Sequence, residues 1–318
     1  MAPPVTVFMP VYNGAPHLEA AIQSILLQTF SDFDFLIIDD GSTDQTRAII
    51  QSFHDPRIKF VSRANCGLIA TLNEGISLIN TQYIARMDAD DISSPERLKL
   101  QFEYMEKNPH IGVCGTDITL FGNARGRVYF GRQDNDIKNE MIFHCPIAHP
   151  TVMIRRRLFD FFTYSTKSLH CEDYRLWLDL SQITNFHNLN KSLLMYRIHQ
   201  QQVSHKNLIQ RDNAAKIGLE AARLFGIDFS PQEAGFHTAL INKTMTDFSG
   251  AESYLERLEK IPNLPYMFIP HWYEFCKING ASQAFTQARK ILPLKYIIPH
   301  SIYDLRLRLR MLIKGDGK

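Results

Sequence analysis

The chain has 318 residues, of which 45% are hydrophobic and 21% are charged. This composition is ordinary for a globular protein and excludes a disordered or collagen-like chain. The formal net charge is +2, from 35 basic and 33 acidic residues. A dedicated nucleic-acid-binding protein would carry a strong basic excess, so we expect no nucleic-acid partner.

The cysteines and the apolar segments predict the cellular compartment. No CxxC pair occurs among the five scattered cysteines, Cys66, Cys114, Cys145, Cys171 and Cys276. We therefore expect neither a disulfide framework nor a structural zinc site, and a reducing cytoplasm is the default. No apolar run approaches the roughly 18–20 residues that span a bilayer, and the opening MAPPVTVFMPVYNG is typical of a strand and a loop.

Strand-like and helix-like segments alternate along the first third of the chain. Apolar β-rich segments at 5–12, 33–40, 58–63 and 83–91 alternate with helical patterns at 17–28, 43–53, 67–79 and 95–108. Ser42 or Thr43 is the predicted cap of the second helix, and Pro95 starts the fourth. The alternation predicts an α/β fold with a mainly parallel sheet flanked by helices.

The remaining sequence predicts a second region. Residues 110–200 keep a mixed α/β pattern, and from about 205 the pattern is helical. We therefore predict a catalytic domain over 1–205 and a helical C-terminal region with a basic tail over 206–318.

Polar side chains follow three of the predicted strands. These sets are Tyr12-Asn13-Gly14, Asp39-Asp40-Gly41-Ser42 and Asp88-Ala89-Asp90-Asp91. The carboxyl ends of parallel strands meet at one edge of a sheet, where α/β proteins bind ligands. No GxGxxG, GxxxxGK[ST], HExxH or GxSxG motif occurs, so the usual dinucleotide, phosphate-loop, zinc and serine-hydrolase sites are not expected.

The acidic set at 88–91 indicates a divalent cation. In an extended segment Asp88 and Asp90 point to the same side, about 6–7 Å apart, and their charges repel. Oxygen ligands suit Mn²⁺ or Mg²⁺, which keep positions open for substrate phosphates. Asp91 either joins this group or caps the following helix.

Two further sets favour a nucleotide base. One of Asp39 and Asp40 would accept a hydrogen bond from a base N3–H, while the other holds the turn. Tyr12 offers a ring on which a planar base would stack, or packs on its own loop.

These segments resemble the family 2 glycosyltransferases, which use nucleotide sugars and have the GT-A fold. The resemblance covers roughly residues 4–205, and the C-terminal third has no recognisable motif. The matching segments are PVYNG at 10–14, QTFSDFDFLIIDDGSTD at 28–44, NCGLIATLNEGI at 65–76, MDADD at 87–91, HPTVMIRR at 149–156, ED at 172–173 and YRIHQQQVS at 196–204.

The resemblance implies a role for each matching residue. Tyr12 and Asp40 would contact the base, usually uracil, and the residues that shape or complete the nucleotide-sugar site would be Pro10, Asn13, Asp39, Asn65 and Ala89. In the DxD motif Asp90 would be the closer metal ligand and Asp88 would lie nearer the ribose. His199 would ligate the metal or the diphosphate, and Asp173 would be the catalytic base.

The reaction implied is an inverting, metal-dependent transfer of one sugar from a UDP-sugar to a hydroxyl of a glycan or lipid-linked acceptor. YRLW at 174–177 stands where polymerising members have QxxRW, which favours a single addition. A bacterial surface polysaccharide is the acceptor class that the resemblance suggests.

Some assignments stay open in the sequence. Glu172 is an alternative base or a residue that favours the helix N-terminus. His149 is expected to be an ordinary buried histidine, and residues 155–157 a solvated turn rather than an anion site.

Two other functions are alternatives to a glycosyltransferase. A sugar-1-phosphate nucleotidylyltransferase would also use Mg²⁺, but its first loop is normally glycine-rich with Arg or Lys, which PVYNGAPHLEA lacks. A non-catalytic nucleotide-sugar-binding protein would not need the intact acidic motifs.

The C-terminal tail concentrates positive charge. Residues 286–318 hold eight Lys and Arg against two acidic residues. Residues 300–318 would then contact an anionic membrane at the inner face of the cell membrane, or remain solvated or docked on protein.

Overall fold

The fold was obtained as a computed structural model, which describes residues 3–199 and 208–242, together with 244, 253–254 and 257–258. The chain divides into two compact units, Met1–Ile217 and Gly218–Lys318. The predicted domain boundary near 205 stays a prediction. The proposed membrane-contacting tail, most of the predicted C-terminal helices and Cys276 lie outside the described residues.

The first half of the sheet is parallel, as the alternation predicted. Its elements in chain order are β1 (Val5–Val11), α1 (Ala15–Leu26), β2 (Phe33–Asp39), α2 (Thr46–Ser52), β3 (Ile58–Ser62), α3 (Leu68–Leu78) and β4 (Tyr83–Arg86). Strand β1 pairs in parallel with β2 and β4, and β2 pairs in parallel with β3.

The second half adds antiparallel strands that the alternation did not predict. It comprises β5 (Ile92–Ser93), α4 (Arg97–Lys107), β6 (Ile111–Gly122), β7 (Gly126–Val128), α5 (Asp134–Glu140), β8 (Met153–Arg155), α6 (Glu172–Leu180) and β9 (Asn185–Ile198). Strand β8 is antiparallel to both β4 and β6, whereas β6 and β9 are parallel. The strand order is β3-β2-β1-β4-β8-β6-β9-β5, with β7 attached to β6.

The core explains why the first half is so regular. All seven residues of β1 are buried, as expected for a strand covered on both faces. Helix α3 lies close to this strand, because a Cβ at Gly75 would come within 2.1 Å of the Phe8 ring. Glycine at this point lets the helix and the strand pack tightly, which fixes the loops at the carboxyl ends of the strands.

The second unit is described only in part. Helix α7 (Leu208–Leu224) crosses the boundary between the units, and α8 (Pro231–Asn242) follows within the second unit. There the buried His237 Nδ1 lies 2.6 Å from the Tyr254 hydroxyl. Within the part of the chain that the structure describes, every helix is too short or too polar to cross a membrane.

Two local predictions, at the ends of β4 and β8, are wrong. The fourth strand ends at Arg86, so residues 88–91 form a turn instead of continuing an extended strand to 91. Arg155 is not in a solvated turn, because it is buried and donates to the carbonyl of Ile111 and the hydroxyl of Tyr83, each at 2.8 Å. Its guanidinium satisfies carbonyl groups that would otherwise be buried without partners.

Candidate active site

A cavity of about 560 Å³ lies at the carboxyl ends of β1 and β4, within the first unit. One side, which we call the β1–β4 wall, consists of lining residues from 10–17 and 86–90. Another side, the α6 wall, consists of lining residues from 145–150 and 170–173. His199 also lines this cavity. The cavity therefore brings together most of the predicted site residues, which besides His199 include Pro10, Tyr12, Asn13, Asp88, Ala89, Asp90 and Asp173.

The loop after β1 is held by the loop after β2. Asn13 has a left-handed φ of 50°, its backbone N–H donates to the Ser42 hydroxyl at 2.8 Å, and its Oδ1 accepts from the Thr43 N–H at 2.9 Å. Asp44 accepts from the N–H groups of Ala15 at 3.1 Å and Thr46 at 2.9 Å. The predicted cap of α2 at Ser42 or Thr43 is therefore wrong, because Asp44 meets the first N–H groups of both α1 and α2.

Tyr12 stands free of this network. It is 53% exposed and lines the cavity, so its ring is available to a planar ligand. An exposed aromatic ring beside a pocket is the arrangement on which nucleobases stack.

Asp39 and Asp40 are buried beneath the loops. Asp39 accepts from the Ser42 N–H and the Ser62 hydroxyl, each at 3.0 Å. Asp40 accepts from the N–H groups of Cys66 at 2.8 Å and Gly67 at 3.0 Å. These contacts give both carboxylates a part in shaping the loops, while the contact of Asp40 with a base stays a prediction.

The segment that contains Asn65 is tied to Asp40 by a second contact. Arg63 forms an ion pair with Asp40 and another with Glu74, the latter at 2.6 Å. A Cβ at Gly41 would lie 2.5 Å from the Asn65 backbone nitrogen, so the two loops touch through a position that only glycine fits. Asn65 itself is exposed.

The carboxylates of Asp88, Asp90 and Asp91 converge. One oxygen from each lies within 4.8 Å of the others, closer than the 6–7 Å expected for an extended segment, because the chain turns here. Asp88 accepts from the Arg86 guanidinium at 2.7 Å, and Asp90 lies 2.9 Å from Nε2 of His199. The sequence therefore predicted the residues of this cluster but not its shape.

Asp91 does not cap α4. Its Oδ1 accepts from the backbone N–H of Arg197 at 2.8 Å, which ties the turn to the end of β9. Its Oδ2 is buried and has no hydrogen-bond partner among the described residues.

This cluster fits a divalent cation. Burial, with repulsion from the neighbouring acids, raises the pKa of Asp88 and raises that of Asp91 well above its usual range. A cation would offset that repulsion and would satisfy the buried Asp91 oxygen. Three carboxylates with one imidazole are suitable ligands for Mn²⁺ or Mg²⁺.

His17 lies beside His199 and was missed in the sequence. Its ring contacts that of His199 edge-to-face at 5.3 Å between centroids, and it lines the cavity from the first turn of α1. Burial, with the charges of Arg197 and His199, lowers its pKa. A lone histidine inside a helical pattern gives no signal that it faces the site.

The α6 wall holds two adjacent carboxylates. Asp173 accepts from the Tyr174 N–H at 2.7 Å and from the Cys145 thiol at 3.6 Å. Burial raises the pKa of Asp173, and these two donors oppose that rise. Burial, with repulsion from Asp173, raises the pKa of Glu172 to about 7.

His149 supports this wall from within. It is buried, as expected, and its Nε2 lies 2.7 Å from the Tyr164 hydroxyl, while its ring meets Trp177 at 5.9 Å. Burial lowers the pKa of His149 well below its usual range. Tyr164 is in turn held by Asn73 on α3, which donates to its carbonyl at 2.9 Å and accepts from its N–H at 3.0 Å.

Comparisons with known proteins agree with this arrangement. Residues 6–160 match the model of the family described as glycosyl transferase family 2. An uncharacterized glycosyltransferase of Haemophilus influenzae is 31% identical over 236 residues, which is 69% of this chain and 73% of that protein. The Escherichia coli protein WfgD, named a UDP-Glc:α-D-GlcNAc-diphosphoundecaprenol β-1,3-glucosyltransferase, is 30% identical over 63% of this chain and 79% of its own length.

Solved structures show the same fold at low identity. TarS from S. aureus, in complex with UDP-GlcNAc, has a TM-score of 0.61 at 15% identity, covering 89% of this chain and 92% of that chain. The mannosyltransferase PcManGT from Pyrobaculum calidifontis, in complex with GDP-Man and Mn²⁺, has a TM-score of 0.53 at 15% identity, covering 99% and 87%. These similarities favour a glycosyltransferase over the nucleotidylyltransferase alternative. With the cavity, the acidic motifs and these relatives taken together, the chain belongs to glycosyltransferase family 2 and has the GT-A fold.

Proposed function

We propose that this enzyme transfers one sugar from a UDP-sugar, with inversion and with a bound divalent cation, to a hydroxyl of a glycan or lipid-linked acceptor. The observation that supports this most is the single cavity that contains both the acidic cluster of the β1–β4 wall and the Glu172–Asp173 pair. A displacement needs both groups. A cation held by the acidic cluster would stabilise the charge of the leaving diphosphate, and a carboxylate of the Glu172–Asp173 pair would remove the proton of the acceptor hydroxyl.

The donor would bind along the β1–β4 wall. The exposed ring of Tyr12 would stack on the base, and the loops held by Asn13 would enclose it. Uracil is the base we propose, because TarS is seen with UDP-GlcNAc and WfgD is named for UDP-Glc. PcManGT is seen with GDP-Man, so the fold itself accepts more than one base.

Asp90, His199 and Asp88 would hold the cation, with Asp91 beside them. When bound, a divalent cation supplies Lewis-acid stabilisation for the charge of the departing diphosphate. Arg86 keeps Asp88 oriented toward this cluster through its 2.7 Å ion pair. The choice between Mn²⁺ and Mg²⁺ favours Mn²⁺, since an imidazole is a better ligand for the softer ion.

Asp173 would act as the base. The acceptor hydroxyl loses its proton to an Asp173 oxygen while the hydroxyl oxygen bonds to the anomeric carbon, and the bond to the diphosphate breaks on the opposite face. The Tyr174 N–H and the Cys145 thiol fix the plane of this carboxylate. Its raised pKa makes it a stronger base than an ordinary aspartate.

The acceptor remains a class rather than a compound. WfgD is named for a diphosphoundecaprenol-linked acceptor, which supports a lipid-linked acceptor here. Such an acceptor would bring the enzyme to the inner face of the membrane, where we expect the basic residues of 300–318 to face anionic lipid.

Two neighbouring isosteric substitutions test the assignment of the base. We expect Asp173→Asn to lower the transfer rate roughly 10²- to 10⁴-fold, the usual contribution of general-base catalysis. Glu172→Gln is the matched control and should lower it by less than about tenfold. UDP binding by calorimetry should stay unchanged in both variants, and NMR of the product should show the inverted anomer.

A larger loss in Glu172→Gln than in Asp173→Asn would transfer the role to Glu172, whose pKa of about 7 also suits a base. Full activity in both variants would contradict the proposed mechanism.

A further inference from the structure

Two residues other than glycine have a left-handed backbone within the described part of the first unit, and both line the cavity. They are Asn13, with a φ of 50°, and His170, with a φ of 64°. Asn13 lies in the β1–β4 wall, where its side chain accepts from the Thr43 N–H. His170 lies in the α6 wall, two residues before Glu172, and the proposed function leaves it without a task.

The backbone at His170 is held from three directions. Cys171 donates its N–H to the Ser168 carbonyl at 2.9 Å. Asn213 donates to the Leu169 carbonyl at 3.0 Å, and the Cys171 thiol donates to the Gln210 carbonyl at 3.2 Å. Both neighbours of His170 are therefore anchored, which holds the left-handed turn between them.

A left-handed turn favours glycine, and among residues with a side chain it is taken mainly by asparagine, aspartate and histidine. The histidine here therefore keeps a backbone conformation that few other side chains adopt. Backbone outliers that the surrounding structure enforces occur mainly at functional sites, where the side chain is needed at that place. At position 170 that place is the cavity, next to the two carboxylates.

The chemistry of the wall limits what an imidazole would bind there. Glu172 and Asp173 make this side of the cavity electronegative, so an anionic part of the acceptor would be repelled. A sugar carries several hydroxyls, of which the base uses one. The ring nitrogens of an imidazole form hydrogen bonds, which matches a neighbouring hydroxyl.

We propose that His170 binds the acceptor, its imidazole forming a hydrogen bond with a sugar hydroxyl adjacent to the one that reacts. His170 thereby sets which acceptor sugars are used and in which orientation they meet the base. This proposal rests on the proposed function, since it requires a glycosyl acceptor in the α6 wall.

The test uses His170→Asn and His170→Gly, which remove the imidazole and suit the left-handed turn. The full-length protein, with Mn²⁺ and UDP-glucose, is assayed with a panel of monosaccharide glycosides and a synthetic GlcNAc-diphospholipid as acceptors. Hydrolysis of UDP-glucose without an acceptor, called UDP release into water below, is measured in parallel. For the acceptor that the wild type uses fastest, we expect both variants to lose about tenfold in kcat/KM, the size of one net hydrogen bond. The melting temperature should be equal or higher, and UDP release into water should not change.

A second measurement assigns the loss to one contact. Deoxy analogues of that acceptor, each lacking one hydroxyl beside the reacting one, are compared in the wild type and in His170→Asn. With the wild type, we expect the kcat/KM of one analogue to be about tenfold below that of the parent acceptor. With His170→Asn, we expect the same analogue and the parent to have equal kcat/KM.

Three results would overturn the proposal. One is unchanged acceptor kcat/KM in both variants, and another is a lower melting temperature that accounts for the loss. The third is a series of deoxy analogues that responds identically with the wild type and with His170→Asn. UDP release without transfer to any panel member would contradict the proposed acceptor class, on which this inference rests. No UDP release at all, even into water, would instead overturn the proposed function itself.

Discussion

The two walls of the cavity are built in different ways. In the β1–β4 wall, short side chains and backbone N–H groups of neighbouring loops bond to each other, as between Asn13, Ser42 and Thr43. In the α6 wall, the decisive contacts join distant segments, such as Asn73 with Tyr164, 91 residues apart. The first arrangement follows from parallel strands that end at one edge, whereas the second depends on how the later segments fold over the sheet.

The electrostatics of the walls differ too. The β1–β4 wall gathers three carboxylates within 4.8 Å beside His199, a concentration of charge that a cation would neutralise. The α6 wall has Glu172 and Asp173 at a helix N-terminus, where burial raises the pKa of both. In the proposed function the acidic residues would thus serve two purposes, one set binding a cation and the other accepting a proton.

The largest expected effect tests the β1–β4 wall. Asp90→Asn should lower transfer by roughly 10²-fold or more, because it weakens stabilisation of the leaving diphosphate. Mn²⁺ affinity, measured by electron paramagnetic resonance, should fall as well, whereas Asp173→Asn should leave it unchanged. Asp32→Asn, an exposed position before β2, is the control. Full activity in a chelator would show that the two walls do not divide the work in this way.

A smaller effect tests the long-range tether of the α6 wall. Asn73→Ala leaves the N–H and carbonyl of Tyr164 without their partner, so we expect the free energy of unfolding to fall by about 1–3 kcal/mol. Gln51→Ala, on the exposed face of α2, should change it by less than about 0.5 kcal/mol. Urea unfolding measures both. If Asn73→Ala leaves the free energy of unfolding unchanged, Tyr164 and His149 are held by other contacts.

The contrast also explains what the sequence predicted. Most of the β1–β4 wall was predicted, since Tyr12, Asp88 and Asp90 follow predicted strands, and parallel strands bring such positions together. His17 in the same wall was missed. The shape of the acidic cluster was not predicted. The spacing of Asp88 and Asp90 was derived for an extended strand that continues to residue 91, whereas the strand ends at Arg86.

The α6 wall was predicted only through the family resemblance. Nothing local to Asn73, Cys145 or His170 marks them, since each gains its place from a segment far away in the chain. The antiparallel half of the sheet was missed for a similar reason: β8 has only three residues and pairs with strands on both sides that are distant in sequence.

The smallest expected effect concerns the pH dependence of stability. Glu172 has its pKa raised from 4.5 to about 7 by burial and by Asp173. Below about pH 4.5 this carboxyl is protonated in the folded and unfolded chains alike, so its contribution is fully present. As the pH rises toward 7 the unfolded chain releases the proton first, and the contribution is lost by about pH 8.

Glu172→Gln stays uncharged and should therefore be the more stable protein at pH 8, by about 1 kcal/mol after allowance for solvent screening. At pH 5 its advantage should be smaller. Thermal unfolding at both pH values, with Glu103→Gln on the exposed face of α4 as the control, measures the difference. If the two substitutions change the melting temperature equally at both pH values, Glu172 is solvated like a surface acid. A larger gain in stability between pH 5 and pH 8 for Glu172→Gln would mean that the acids of raised pKa in the α6 wall destabilise the folded protein near neutral pH. In the β1–β4 wall a bound cation would offset the corresponding repulsion.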